Sequence, residues 1–359
     1  VFQAAKVFTG SSENAASWMG SLCVGIGLLT IFFSWRYKAP VLVVWSTAGS
    51  VLLATNIQGF TVNEAIGAFL FAAVLTLVFG LTGLFAKVMG KISLALTSGL
   101  LAGVLFHFCL DAFSGMQSKP VLVGSMFAAY IVGKKVFPRL SMLMALVVGL
   151  LVCYWTGAFQ PGTVALTGTR FVWTQPQFTI SSLLSLGIPL FVVTMASQNL
   201  TGLSVMRSYG YNNPISKLLT GIGFVNIFTS FFGGFSMCLA AITGAIAAGP
   251  EAHPNKDKRY VAALIAGFLY LIVGFAAGSL TSVFAIFPAE MISAIAGFAL
   301  LTTVSSALQT ALVSSEEKET AFITFVIAAS GLRFFGIGSA FWAIIVGLLI
   351  QFIFSARKD

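Results

Sequence analysis

Gly233-Gly234-Phe235-Ser236-Met237-Cys238-Leu239 leads straight into Ala240-Ala241-Ile242-Thr243-Gly244-Ala245. The first seven residues read as a short extended stretch, the next six as the start of a half-helix. A second such passage lies far upstream. Ala39-Pro40-Val41-Leu42-Val43-Val44-Trp45 begins with proline and favours a strand, then turns into Ser46-Thr47-Ala48-Gly49-Ser50, a good helix start. Both lie in runs without a charged residue, Ala39–Asn63 and Leu218–Pro250. Unsatisfied backbone at membrane depth costs several kcal/mol per group, so a broken span survives only inside protein or along a cavity. Two extended stretches that cross can bond to each other, and the half-helices that follow would aim their N-termini at one centre. The competing reading is that these glycines merely let helices pack closely.

The rest of the chain supports a membrane setting. Of 359 residues, 58% are hydrophobic and 8% charged, whereas a soluble domain carries roughly 25% charged residues. Further charge-free runs are Ala65–Ala86, Leu140–Thr169, Phe171–Met206, Val261–Ala289, Met291–Ser315 and Phe334–Ala356. A spanning helix needs about 20 such residues. A β-barrel would instead show alternating segments of about 10. Runs and breakers predict spans at 13–35, 40–57, 63–86, 92–112, 120–137, 140–157, 179–206, 214–231, 236–249, 260–280, 288–312, 319–333 and 335–355. Val1-Phe2-Gln3-Ala4-Ala5 reads as the tail of a helix, which predicts one more span, largely ahead of Val1. The expected fold is an all-α polytopic membrane protein of fourteen segments, with extended stretches in broken spans 3 and 10.

The net charge of +9 does not point to nucleic acid, because the cations sit in short loops between spans. Loops assigned alternately to two sides place fifteen of the 19 Lys and Arg on one side. Only Lys6, Lys119, Arg170 and Arg333 fall on the other. The crowded side is cytoplasmic by the positive-inside rule. The C-terminus is then inside and loop 158–178 outside. Cys23, Cys109, Cys153 and Cys238 all fall in apolar segments, as small packing residues rather than disulfides or ligands. No metal site and no cofactor is expected.

Features recur about 195 positions apart: Gln3 with Gln198, Gly49 with Gly244, and segment 40–57 with 236–249. Seven spans is an odd number, so two copies must insert upside-down relative to each other. Inverted repeats with paired broken helices place a transporter's substrate near the midplane, at the repeat interface.

The stretch Gly187-Ile188-Pro189-Leu190-Phe191-Val192-Val193-Thr194-Met195-Ala196-Ser197-Gln198-Asn199-Leu200 resembles the benzoate:proton symporter (BenE) family. So do Phe231–Gly234, Gly249-Pro250-Glu251-Ala252-His253-Pro254, Arg36–Val41 with Trp45-Ser46-Thr47, and Glu64–Phe69. The resemblance covers essentially the whole chain. It implies a fold of two inverted sevens, like uracil and sulfate/bicarbonate-type transporters. A core domain would comprise 1–89 and 179–282, and a gate domain 90–157 and 283–359, joined by the extracytoplasmic loop 158–178. It also implies proton-driven uptake of a small aromatic carboxylate across the bacterial inner membrane, an elevator motion and a homodimer.

Gln198 and Asn199 lie mid-span with no charge nearby. Adjacent side chains point about 100° apart on a helix, so one can face a ligand while the other braces a broken helix. The alternative is an interhelical polar clamp, and Gln3 carries the same pair of readings. No Lys or Arg falls within the broken segments. A carboxylate would therefore be met by backbone N–H groups and the positive dipole ends near Ser46–Gly49 and Ala240–Gly244. Ser46, Thr47, Ser236, Thr243, Ser197 and Gln198 would add side-chain donors. Ala48, Leu239, Ala240 and the glycines Gly49 and Gly244 complete the candidate site. Phe2, Trp45 and Phe235 would flank the ring.

Candidates for moving the proton are His107 and Asp111, one helical turn apart, and Glu290 near a span start. The first two also read as a structural pair and Glu290 as a cap. The proton can instead travel on the substrate as the neutral acid. Glu251 and His253 read as fixing an inner loop. A channel would need a continuous polar stripe across several spans, and none is evident. An enzyme would need a clustered catalytic set, and two histidines with scattered acids do not supply one.

Overall fold

A computed structural model describes residues 10–56, 59–85, 93–160, 166–250, 252–313, 317–334 and 337–355. Phe2 and Gln3 lie outside the described residues. The chain is mostly helical. Helix α1 (Ser12–Tyr37) starts at Ser11, whose hydroxyl accepts from the Asn14 N–H, and ends at Lys38 in the left-handed conformation. Strand β1 (Val43–Trp45) and half-helix α2 (Thr47–Asn56) follow. Helix α3 (Val62–Thr82) opens on a reciprocal Thr61–Glu64 capping box. Next come α4 (Leu94–Ser118), α5 (Pro120–Val136) and α6 (Ser141–Thr156).

The second half begins with α7, a continuous helical run over 180–208 with π-helical turns at Leu183–Gly187 and Thr194–Asn199. It continues through α8 (Ile215–Ser230), β2 (Met237–Leu239) and half-helix α9 (Ile242–Ala248). Then follow α10 (Tyr260–Phe275), α11 (Ala277–Ile286), α12 (Ala289–Val313) and α13 (Lys318–Ala329). A two-residue hairpin, β3 (Arg333–Phe334) with β4 (Ile337–Gly338), precedes α14 (Ser339–Ser355).

Among the described residues, six helices are long and apolar enough to cross a bilayer: α1, α3, α4, α7, α10 with the turn before it, and α12. Helices α6, α8 and α14 are apolar but shorter. The broken segments are not single helices, which is why length alone does not count them.

Packing is pairwise. Helix α10 lies along α1, and α8 along α3. Elsewhere α4 packs on both α12 and α13, α5 on α6, and α13 on α14. The α1–α10 crossing is close because glycines meet there. A Cβ on Gly27 would stand 2.7 Å from the Gly267 carbonyl oxygen, and one on Gly267 3.1 Å from that of Gly27.

Two expectations need correction. Helix α4 continues to Ser118 rather than ending near 112, because nothing in Asp111-Ala112-Phe113-Ser114-Gly115 stops it. The span expected over 260–280 breaks at Ala276. There the segment between α6 and α7 intrudes: Thr169 N–H donates to the Phe275 carbonyl (2.8 Å), its hydroxyl to that of Gly274 (2.6 Å), and the same hydroxyl accepts from Ala277 N–H (2.9 Å). A partner 108 residues away satisfies the interrupted ladder, so no local breaker was needed.

Candidate functional site

Strands β1 and β2 pair antiparallel, with Val43 opposite Leu239, Val44 opposite Cys238 and Trp45 opposite Met237. One more backbone bond closes each end: Ser46 N–H to the Ser236 carbonyl and Ala240 N–H to the Leu42 carbonyl, both 2.9 Å. Gly233, at φ +89°, makes the turn from α8 into the crossing. A Cβ there would overlap the Trp18 ring.

A two-stranded ribbon leaves each strand's outer edge without a partner strand, and side chains bond several of those edge groups. Thr30 of α1 accepts from Val43 N–H (3.0 Å) and its hydroxyl donates back to the Val43 carbonyl (3.4 Å). Asn226 of α8 accepts from Met237 N–H (3.0 Å), and Asn199 of α7 from Leu239 N–H (2.9 Å). The Ser34 hydroxyl donates to the Val41 carbonyl (3.1 Å). At the head of α2, Ser46 Oγ accepts from Gly49 N–H (3.0 Å) and from the Thr194 hydroxyl (2.9 Å). The Ser236 hydroxyl in turn donates to Thr194 (3.3 Å).

Beside this crossing lies a cavity of about 720 Å³. One wall comes from the crossing and its neighbours: Val44, Trp45, Thr47, Ala48, Ala196, Gln198, Thr201, Ala241, Thr243 and Tyr270. The facing wall is α4 and α12: Leu94, Thr97, Ser98, Leu101 and Leu105 opposite Ala299, Thr302, Thr303, Ser306, Ala307 and Thr310. Trp45 and Tyr270 meet edge-to-face at 6.0 Å on the first wall. Among the described residues no Lys, Arg, His, Asp or Glu lines the space.

Of the expected site residues, this cavity brings together Gln198, Trp45, Thr47, Ala48 and Thr243. The two adjacent amides divide: Gln198 lines the cavity, while Asn199 is fully buried against β2. The π-helical turn that holds both lets α7 come close to the crossing. A Cβ on Gly202, just beyond, would stand 2.7 Å from that of Leu239.

Apart from Phe2, Gln3 and the side chain of Ser197, which lie outside what is described, the remaining candidates do not line the cavity. Ser46 and Ser236 are buried and spend their hydroxyls on Thr194. Phe235 packs in the core against Phe69 at 6.1 Å, so it flanks no ring. Leu239 and Ala240 are buried, and Gly49 sits under Leu190. Gly244 faces Ala240 one turn back, and Ser197 belongs to the same π-helical turn as Gln198. His107, Asp111 and Glu290 are also absent from the lining. Glu290 pairs with Lys119 at 3.5 Å and accepts from Ser118 at 3.3 Å, at the junction of α4, α5 and α12. Among the described residues no three potential metal ligands cluster, and the four cysteines are free and buried.

Sequence reasoning missed the whole α4–α12 wall and Tyr270. The expected absence of a stripe across several spans does not bear on one helix, and Thr302, Thr303, Ser306 and Thr310 form a row on α12. Hydroxyls hide in an apolar span because they bond their own backbone, as Thr310 does to the Ser306 carbonyl (2.9 Å). The spacing of one residue, then three, then four was the available signal.

An apolar helical bundle around a midspan crossing of two broken segments, with a cavity against it, defines a membrane transporter fold. Solved structures share it. The transmembrane domain of a cyanobacterial bicarbonate transporter, BicA, matches with a TM-score of 0.68 at 16% identity, over 96% of this chain and 92% of that one. The murine Solute Carrier 26 family member A9 anion transporter matches with 0.63 at 11% identity, over 98% of this chain and 69% of that one.

The model of the BenE family, described as benzoate membrane transport protein, matches residues 1–353, and the chain belongs to that family. It is 39% identical to "Inner membrane protein YdcO" of Escherichia coli (strain K12), over 100% of this chain and 92% of that protein. It is 34% identical to "Benzoate membrane transport protein" of Acinetobacter baylyi, over 99% and 91%. The family is one of membrane transport proteins, as the Acinetobacter relative's name also says.

Proposed function

We propose that this protein takes up benzoate, or a similarly small aromatic carboxylate, together with a proton across the bacterial inner membrane. The observation that carries the reading is the makeup of the cavity wall beside the crossing. It combines an edge-to-face aromatic pair, Trp45 and Tyr270, with Gln198 and the first residues of α2, Thr47 and Ala48. The aromatic pair suits the flat face and edge of a ring. The amide and the positive end of the α2 dipole suit a carboxylate without a fixed cation.

The proton rides on the substrate. None of His107, Asp111 and Glu290 lines the cavity, so the neutral acid itself supplies the proton that an inward gradient drives. The crossing, with α1, α3, α7, α8 and α10, is the core that carries the site. Helices α4–α6 and α12–α14 form the gate against which it moves, in an arrangement of fourteen passes in two inverted sevens. Bracing supports that symmetry: Thr30 and Asn226, 196 positions apart, each bond the N–H of a crossing strand's end residue. The cavity reaches Leu94, at the start of α4, and Thr310, in the last turn of α12, the helix ends that the positive-inside assignment puts on the cytoplasmic side. That is the cytoplasmic opening of an inward-facing state, with the C-terminus on the same side.

The test is uptake into proteoliposomes, with and without an inward proton gradient, of benzoate, salicylate, uracil and sulfate. Gradient-driven, electroneutral benzoate uptake with one proton per anion supports the reading. Movement of uracil or sulfate and no aromatic acid would transfer the site to a nucleobase or another anion on the same fold.

A further inference from the structure

Lys134 stands near the end of α5, far from α12 in the sequence, yet its ammonium donates to the Thr302 hydroxyl at 3.0 Å. Thr302 is a cavity-lining residue. It lies eleven residues before the end of α12, about 16 Å along the axis at 1.5 Å per residue. Lys134 itself is exposed in the last turn of α5, and its stem carries the ammonium along α12 to this hydroxyl. A second contact fixes it there: the ammonium sits 5.4 Å from the centre of the Tyr130 ring. Tyr130 is itself buried and stacked on Phe298 (5.7 Å, 20°), one turn before Thr302 on α12. Among the described residues no carboxylate comes within ion-pair distance of Lys134. The field of the ammonium therefore falls on a hydroxyl that lines the cavity.

We propose that Lys134 is an anion-positioning residue of the transport path, holding a positive charge behind the hydroxyl row Thr302–Ser306–Thr310. The inference rests on the carboxylate reading above and adds a residue to it. The site beside Trp45 and Gln198 has no fixed cation, so a neutral acid can occupy it. Once the acid loses its proton on the way to the cytoplasm, the carboxylate meets the field of Lys134. An ammonium has three donors and no acceptor. Thr302 takes one, and the hydroxyl row relays the polarity toward the open end. The charge thus concentrates the anion over any cation at this end of the path, for exit and return alike.

A substrate-independent experiment reads this field. The four native cysteines are buried, so Ser306→Cys provides one thiol in the cavity wall. Its reaction rates with an anionic and a cationic methanethiosulfonate reagent are compared with Lys134 present and in Lys134→Met. The anionic-to-cationic rate ratio is expected to fall at least about fivefold when the charge is removed, and to be retained in Lys134→Arg. Lys134→Gln repeats the comparison should the methionine variant fail to fold. An unchanged ratio, or an introduced thiol inert to both reagents in folded protein, overturns the proposal. In parallel, Lys134→Met should raise the KM for benzoate offered from the cytoplasmic side about tenfold while Lys134→Arg stays within about twofold. Failure of the parent protein to move any carboxylate removes the transport reading, and the reagent ratio still decides the role of Lys134.

Discussion

The two walls of the cavity are built on opposite rules. On the crossing side, polar groups are buried and bonded to one another: Asn199 and Asn226 each take a strand N–H, and Ser46, Thr194 and Ser236 form a closed set. On the α4–α12 side the polar groups are hydroxyls that bond locally or face the open space, as Thr97 does to the Ser93 carbonyl and Thr310 to that of Ser306. A wall of the first kind is rigid, because moving one member leaves another unsatisfied at membrane depth. A wall of the second kind loses nothing when its neighbour slides past. The contrast fits the motion proposed above, of a binding platform against a smooth partner.

Substitutions on the two sides should therefore differ in kind. The largest effect is expected at the crossing. Asn226→Leu leaves Met237 N–H without its acceptor, at a cost of about 1–3 kcal/mol, and should lower the melting temperature in detergent by roughly 5 °C. A melt identical to the parent would mean that the crossing does not depend on this brace. Gln198→Ala should leave the melt unchanged and weaken binding of the acid up to about tenfold, as loss of a hydrogen bond worth about 0.5–1.5 kcal/mol does. Unchanged affinity by isothermal titration removes Gln198 from the site. Trp45→Ala should weaken binding about fivefold and Trp45→Phe less than about twofold, in keeping with the edge-to-face term of an aromatic pair. Equal losses in both would assign Trp45 to packing instead. The smallest effect belongs to the facing wall: Ser306→Ala should change stability by less than about 0.5 kcal/mol and affinity by less than about twofold. A large loss there would make the α12 hydroxyls ligands and dissolve the contrast between the walls.

Much of the fold was legible in the residues. Pro40 with its β-branched run, and the paired glycines before Phe235, announced two broken spans, and both are strand-plus-half-helix in the structure. The division between Gln198 and Asn199 followed from helical geometry alone. Phe235 was less legible: aromatic character says nothing about which side of a strand faces ligand, and here Phe69 claims the ring. Tyr270 was missed because it sits on an otherwise apolar helix and gains its meaning only from Trp45, 225 positions earlier, across the crossing.

By itself, then, the sequence set the medium, the broken segments and the residues too polar to lie idle in lipid, since these depend on composition and local backbone preference. Which of those residues face open space and which brace the backbone was decided only by tertiary structure. Hydrogen-bond partners in a bilayer are found across the bundle rather than along the chain, and a lysine such as Lys134 declares its place only when Thr302 arrives beside it.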